Sequence, residues 1–163
     1  MQDNFGRNIS YLRISITDRC NLRCLYCMPE EGVEFKPHAE VLSYEEIEKV
    51  VRAAAKIRIT GGEPLVRKDL PDFIKTLRTI PGIQEIALTT NAILLPRLAY
   101  PLKVAGLDRV NISLDSLRPE RYKEITRGGD LAKVLHGINL ALDLGLKPVK
   151  INVVVVKDFN DDE

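Results

Sequence analysis

Cysteine is scarce in this chain of 163 residues: there are three, all between positions 20 and 27, and none follows Cys27. An odd number on one loop argues against a disulfide framework and suits a reducing cytoplasm. Long apolar runs are also missing. None approaches the roughly 20 residues a membrane-spanning helix needs, so no membrane role is expected. Met1 to Ser10 is polar and is expected to carry no secretion signal. Charge of one sign is lacking too. The 24 basic residues stand against 23 acidic ones, which removes the bulk electrostatic case for a nucleic-acid partner. With no repeat, low-complexity tract or linker, one domain over residues 1–163 is expected, long enough to bury a sizeable core.

What is present centres on Cys20-Asn21-Leu22-Arg23-Cys24-Leu25-Tyr26-Cys27, with the spacing Cys-x3-Cys-x2-Cys. Three thiolates on one loop can hold three irons of a four-iron cluster, leaving the fourth iron open to bind and reduce a small molecule. A tetrahedral zinc site needs a fourth protein ligand. His38 or His136 in that place would make a zinc knuckle, and three ordinary buried thiols are the blandest reading. Structural cysteines rarely gather this way without a redox or metal reason. Neither histidine has a partner at a telling spacing, so neither is assigned a role.

The rest of the chain reads as alternating strands and helices. Leu12 to Asp18 alternates apolar and polar residues as a first strand. Ser43 and Glu46 form a capping box for a helix whose apolar face carries Ile47, Val50, Val51 and Ala54. That helix is expected to run through Ala53-Ala54-Ala55 straight into a second strand, Lys56 to Thr60, as if a short connector were missing. Further helices are expected over Leu70 to Ile80 and over Leu94 to Ala105, the latter kinked or broken at Pro101. A short helix from Pro119 precedes a longer one over Leu131 to Leu144. Strands are expected at Glu85 to Thr89, Arg109 to Leu114 and Val149 to Val156. Asn160-Asp161-Asp162-Glu163 reads as the cap and first acidic turn of a further helix. The charges at Lys68-Asp69 and from Arg118 to Arg121 read as solvated. This βα alternation predicts an α/β fold, a partial parallel barrel or open sheet of about five strands, incomplete at the C-terminus. The special residues cluster after strand ends, where such folds do chemistry.

These motifs resemble one family. Cys-x3-Cys-x2-Cys is the cluster motif of the radical S-adenosylmethionine (AdoMet) superfamily. The segments Asp3-x-Phe5-Gly6-Arg7, Tyr11 to Ser15, Thr17 to Asn21, Tyr26 to Pro29, Arg58 to Leu65, Thr89-Thr90-Asn91, Asn111 to Ser116, Arg127 to Asp130 and Val149 to Asn152 resemble the GTP 3′,8-cyclases of molybdenum cofactor biosynthesis. The resemblance implies a [4Fe–4S] cluster on Cys20, Cys24 and Cys27, with AdoMet contacted by Tyr26, Gly62 and Ser113. It implies GTP contacts from Arg13, Arg58, Thr89 and Lys150, whose cations suit a triphosphate. In that family a 5′-deoxyadenosyl radical takes the C3′ hydrogen of GTP, and the sugar radical attacks C8. An electron donor, not identified by sequence, and a homodimer are further implications. Two departures stand out. Ala92 replaces the glycine usual after Thr-Thr-Asn, and the family's second cluster would need three cysteines that this chain lacks. Two other readings remain: a cluster-binding remnant or split subunit that needs a partner chain, and a radical AdoMet enzyme with another substrate.

Overall fold

The computed structural model describes residues 4–7, 9–52 and 54–163. Asp3 of the first matching motif, Ala53 of the expected helix-to-strand junction and the side chain of His38 lie outside the described residues.

Five short strands form one parallel sheet in sequence order: β1 (Tyr11–Ser15), β2 (Lys56–Thr60), β3 (Glu85–Thr90), β4 (Arg109–Ser113) and β5 (Lys150–Asn152). Each strand alternates in character, so the pleat gives the sheet two unlike faces. Ile57, Ile59, Ile86, Leu88, Val110 and Ile112 are fully buried against the crossover helices. Those helices are α1 (Tyr44–Val51), α2 (Leu70–Arg78), α3 (Leu95–Ala105), α4 (Pro119–Ile125) and α5 (Leu131–Asp143). They return Ile47, Val51, Phe73, Ile74, Leu77, Leu102 and Val134 to the same core. Each such side chain contributes roughly 1.5–3 kcal/mol by leaving water.

Several boundaries differ from expectation for identifiable reasons. The Ser43–Glu46 capping box is present, but α1 stops at Val51. The amides of Ala55 and Lys56 both donate to Ser10 O, at 2.8 and 2.9 Å, and Ala55 O accepts from Gln84 N at 2.7 Å. The junction is thus tied to the starts of β1 and β3, and shortening the helix supplies the connector. Strand β1 ends at Ser15, before the cysteine loop begins. Helix α3 runs unbroken through Pro101, which is exposed, so water can take the carbonyl that its missing N–H leaves free. Gly106 closes α3 in a left-handed conformation, φ 102°.

Strand β5 is three residues long, not eight. Among the described residues, no strand ladder continues beyond Leu114 N→Asn152 O. Side chains take over: Val154 N donates to Asp115 Oδ1 at 2.8 Å and Val156 N to Asn160 Oδ1 at 2.6 Å. Asn160 therefore points back along the chain instead of capping a helix. Its Nδ2 also donates to Asp115 O at 2.6 Å. Arg118 and Arg121 are not simply solvated. Both form ion pairs with Asp162 and Glu163.

Candidate functional site

The cysteine loop leaves the C-terminal end of β1 and folds over the mouth of the sheet. Cys24 O accepts from Cys27 N and Met28 N, both at 3.1 Å, a turn that places Cys24 and Cys27 together. The loop is seated on the end of α4: Arg23 N donates to Thr126 O at 3.2 Å and Leu25 N to Ile125 O at 2.9 Å. One terminal nitrogen of Arg127 donates to Arg23 O at 3.0 Å and to Met28 O at 2.7 Å. At the other end Cys20 Sγ accepts from Leu22 N at 3.4 Å and has Asn91 Nδ2 at 4.0 Å.

The thiols are free and electrostatically crowded. Burial first, then the neighbouring Cys27 and Cys20, push the Cys24 thiol up to about 12. Burial also raises the Cys20 thiol. A group that brings positive charge among them, as iron does, favours the thiolate forms of Cys20 and Cys24 against that burial. Among the described residues no three His, Cys, Asp or Glu groups converge on one point fit for a single metal ion. A single-ion zinc site asks for that convergence. A four-iron cluster does not, because each thiolate takes a different iron. His136 stands exposed on α5.

Gly61 and Gly62 follow β2 and hold up the base of the loop. Gly62 N donates to Thr17 O and Glu63 N to Arg19 O, both at 2.8 Å. A Cβ on Gly62 would lie 2.4 Å from Arg19 O, and one on Gly61 2.5 Å from Thr17 O. No side chain fits where two backbones approach so closely. The buried Glu63 carboxylate then accepts from Leu65 N (3.0 Å), Thr90 Oγ1 (2.7 Å) and Asn91 N (2.7 Å). Burial nonetheless raises its proton affinity against those three bonds. Ala92, next in the chain, adopts φ 62°.

The face of the sheet opposite the helices is polar along every strand. Arg13 lies in register with Arg58, and Thr89 with Asn111 and Lys150. With side chains alternating, Arg13, Arg58, Thr89, Asn111, Lys150 and Ser113 all point to this one side. The structure thus brings together the four residues singled out as GTP contacts. Ser113 lies at the rim, and its near neighbour Asp115 accepts from the Tyr26 hydroxyl at 2.7 Å. Burial, then Asp115, pushes the Tyr26 phenol well above its ordinary value. Tyr26 thus belongs to the cysteine loop itself, Gly62 meets the backbone at its base, and Ser113 ends β4 two positions before Asp115. Arg58 stacks over Tyr11, 5.5 Å from the ring centre.

Sequence reasoning missed a second set on the same surface. Arg109 donates to Glu85 Oε1 at 2.8 Å and to Asn111 Oδ1 at 3.0 Å, both within the polar face. The strand period could have found them, since Arg109 and Asn111 share the phase of Ser113. Among the described residues four buried side-chain polar atoms have no partner, and three of them, Arg58 Nε, Thr89 Oγ1 and Asn111 Nδ2, belong to this face. The fourth is the Tyr122 hydroxyl. Asp115 and Arg127 were also missed as holders of the loop, because their partners lie 89 to 104 positions away.

Residues 14–163 match the family model of the radical SAM superfamily. Over its whole length the chain is 62% identical to a GTP 3′,8-cyclase of Pelotomaculum thermopropionicum and 61% identical to one of Alkaliphilus metalliredigens. It spans about half of each relative's length, 52%. Both alignments run over 168 positions, more than the 163 residues present here. Among solved structures, HydG, a maturase of the [FeFe]-hydrogenase, superposes with a TM-score of 0.73 at 17% identity, over 93% of this chain and 37% of its own. Streptococcus suis SuiB superposes with a TM-score of 0.71 at 21% identity, over 93% of this chain and 34% of its own. At these identities the structural likeness speaks for the fold.

Proposed function

Because the chain belongs to the radical SAM superfamily, we propose that it carries the AdoMet-cleaving and triphosphate-binding part of a GTP 3′,8-cyclase. The observation that carries this reading is the polar face beneath the cysteine loop, where Arg58, Thr89 and Asn111 leave buried polar atoms unpartnered. Buried donors of this kind call for a polar ligand, and the flanking cations suit a triphosphate. The identity of about 60% to GTP 3′,8-cyclases supports the choice of GTP.

When bound, the [4Fe–4S] cluster supplies the electron that splits AdoMet into methionine and a hydrogen-abstracting 5′-deoxyadenosyl radical. Cys20, Cys24 and Cys27 hold the cluster. Gly62, whose missing Cβ makes room for the Arg19 backbone, contacts AdoMet, while Tyr26 and Ser113 flank the AdoMet site. Arg13, Arg58, Thr89 and Lys150 grip GTP and turn its ribose toward the mouth. Residues 1–163 then form the N-terminal portion of a radical SAM core domain. The free thiols suit the cytoplasm, and the reaction needs an external electron donor. Homodimerisation is part of the same reading.

A second reading is favoured by one observation. Val153, Val154 and Val155 beside β5 are 52%, 42% and 67% exposed. They flank an apolar groove lined by Leu117, Leu135, Ile138 and Ile151. A partner chain seated there would make this a subunit of a split enzyme. With no cysteine after Cys27, cyclisation by these residues alone is not expected.

Anaerobic iron–sulfur reconstitution, followed by a 5′-deoxyadenosine assay with AdoMet and dithionite and by calorimetric titration with GTP, tests the proposal. A brown protein that releases 5′-deoxyadenosine and binds GTP supports it. Release without GTP binding points to another substrate. A colourless protein overturns it.

A further inference from the structure

The Arg127-Gly128-Gly129 segment takes no part in the AdoMet and GTP contacts proposed above, yet its place in the fold is specific. Helix α4 ends at Ile125, and Arg127 turns the chain with φ 51°, a left-handed backbone unusual outside glycine. That turn is held by Arg127 N→Glu124 O at 3.0 Å and Gly128 N→Lys123 O at 2.8 Å. It sends the half-buried Arg127 side chain back to the cysteine loop. There one terminal nitrogen spends both of its hydrogens, on Arg23 O at 3.0 Å and Met28 O at 2.7 Å. These two carbonyls flank the turn that carries Cys24 and Cys27.

We propose that Arg127 is a positioning residue for the iron–sulfur cluster: it clips the two ends of the Cys24–Cys27 turn and so sets the separation of those thiols before iron arrives. The physical need is clear. Among the described residues, the backbone–backbone bonds within the loop are those of the Cys24–Met28 turn. A loop left to itself would spread. The carbonyls of Ile125 and Thr126 anchor the first half of the turn, and among the described residues Arg127 is the side chain that donates to carbonyls at both of its ends. A preformed spacing lowers the ordering cost that cluster binding otherwise carries.

This inference rests on the cluster reading above, and the experiment separates the two. Arg127→Met keeps length and packing but has no donor. Arg127→Lys keeps an ammonium that can give two hydrogens to the same carbonyls. Amide hydrogen exchange over residues 23–28 is measured on the iron-free chain. Iron content and the electron paramagnetic resonance spectrum of the reduced cluster are measured after reconstitution. In R127M, exchange should accelerate at least tenfold in that segment alone, iron should fall to less than half of wild type, and the spectrum should broaden. R127K should recover most of each loss. Wild-type exchange and iron content in R127M overturn the proposal, as does an R127K as impaired as R127M. If R127M does not fold, R127K decides: iron content near wild type with normal exchange supports the clip, and its loss in a folded protein overturns it. If the wild-type chain takes up no iron, the cluster reading fails, while the exchange data still decide whether Arg127 orders the loop.

Discussion

The Tyr26 hydroxyl donates a 2.7 Å hydrogen bond to Asp115 Oδ2, while Oδ1 of the same carboxylate accepts from Val154 N at 2.8 Å. One buried side chain thereby fastens the cysteine loop, the end of β4 and the segment after β5. Asp115→Ala leaves both donors without their acceptor and should cost about 2 kcal/mol, measured by urea unfolding. Tyr26→Phe removes one bond at a half-exposed site and should cost about 1 kcal/mol or less. Both variants should weaken AdoMet binding to the reconstituted protein, whereas equal affinity would separate Tyr26 from the AdoMet site.

Gly62 is where the sheet and the cysteine loop touch. A methyl group there would stand 2.4 Å from Arg19 O and 2.9 Å from Asp18 O, and backbone must move to admit it. Gly62→Ala is expected to leave the far-UV circular dichroism of the sheet and helices near wild type and to abolish stable iron uptake. Full iron content in G62A would mean that the loop rearranges freely.

Much of this was legible in the sequence, for reasons that differ by residue. The strands and capped helices follow from local alternation and from Ser43, Glu46 and Gly106, whose effects act within a turn or two. The cysteine spacing and Gly61-Gly62 could be read because each is a short local motif in the loop after a strand, and the Arg13, Arg58, Thr89 and Lys150 set because the family resemblance singles those positions out. The lengths of α1 and β5 could not. They depend on Ala55 and Lys56 meeting Ser10, and on Asp115 and Asn160 displacing a ladder. Arg127 was quoted as part of a motif, but nothing local indicates that its partners are Arg23 and Met28.

Ala92 is fully buried at φ 62°, and opposing terms decide its replacement. Glycine would relieve about 1–2 kcal/mol of left-handed strain. It would lose a buried methyl worth about 0.8 kcal/mol and would loosen the unfolded chain by about 0.4–1 kcal/mol. Ala92→Gly is therefore expected to change stability by less than about 1 kcal/mol. Ala92→Val adds a branched side chain to a left-handed site with no room, and should cost about 3 kcal/mol or more. Thermal melts of the two variants check the ordering.

Glu85 gives a pH dependence. Its hydrogen bond from Arg109, opposed by partial burial and aided by the charges of Arg109, Lys56 and Lys150, holds its carboxyl below the usual carboxylate range. The stability it contributes is present above its unfolded value of about 4.3 and is lost as pH falls through the lower folded value. Glu85→Gln lacks this component. Between about pH 5 and pH 3 the wild type should lose more stability than E85Q, and parallel acid unfolding curves would show that the Glu85–Arg109 pair contributes nothing.

The clip between Arg127 and the cysteine loop also sets an order of events during synthesis. Each strand pairs with the one made just before it, so the sheet can assemble as the chain emerges. The cysteines appear early, but Arg127 follows Arg23 by 104 positions and Met28 by 99. At about 5–20 residues per second, the loop waits on the order of 5–20 seconds for its seat, and then longer while residue 127 clears the ribosome. During that interval three reactive thiols are displayed on a nascent chain without their frame. Iron delivery is thus best timed after translation, and agents that cap or oxidise thiols act most strongly on chains still being made.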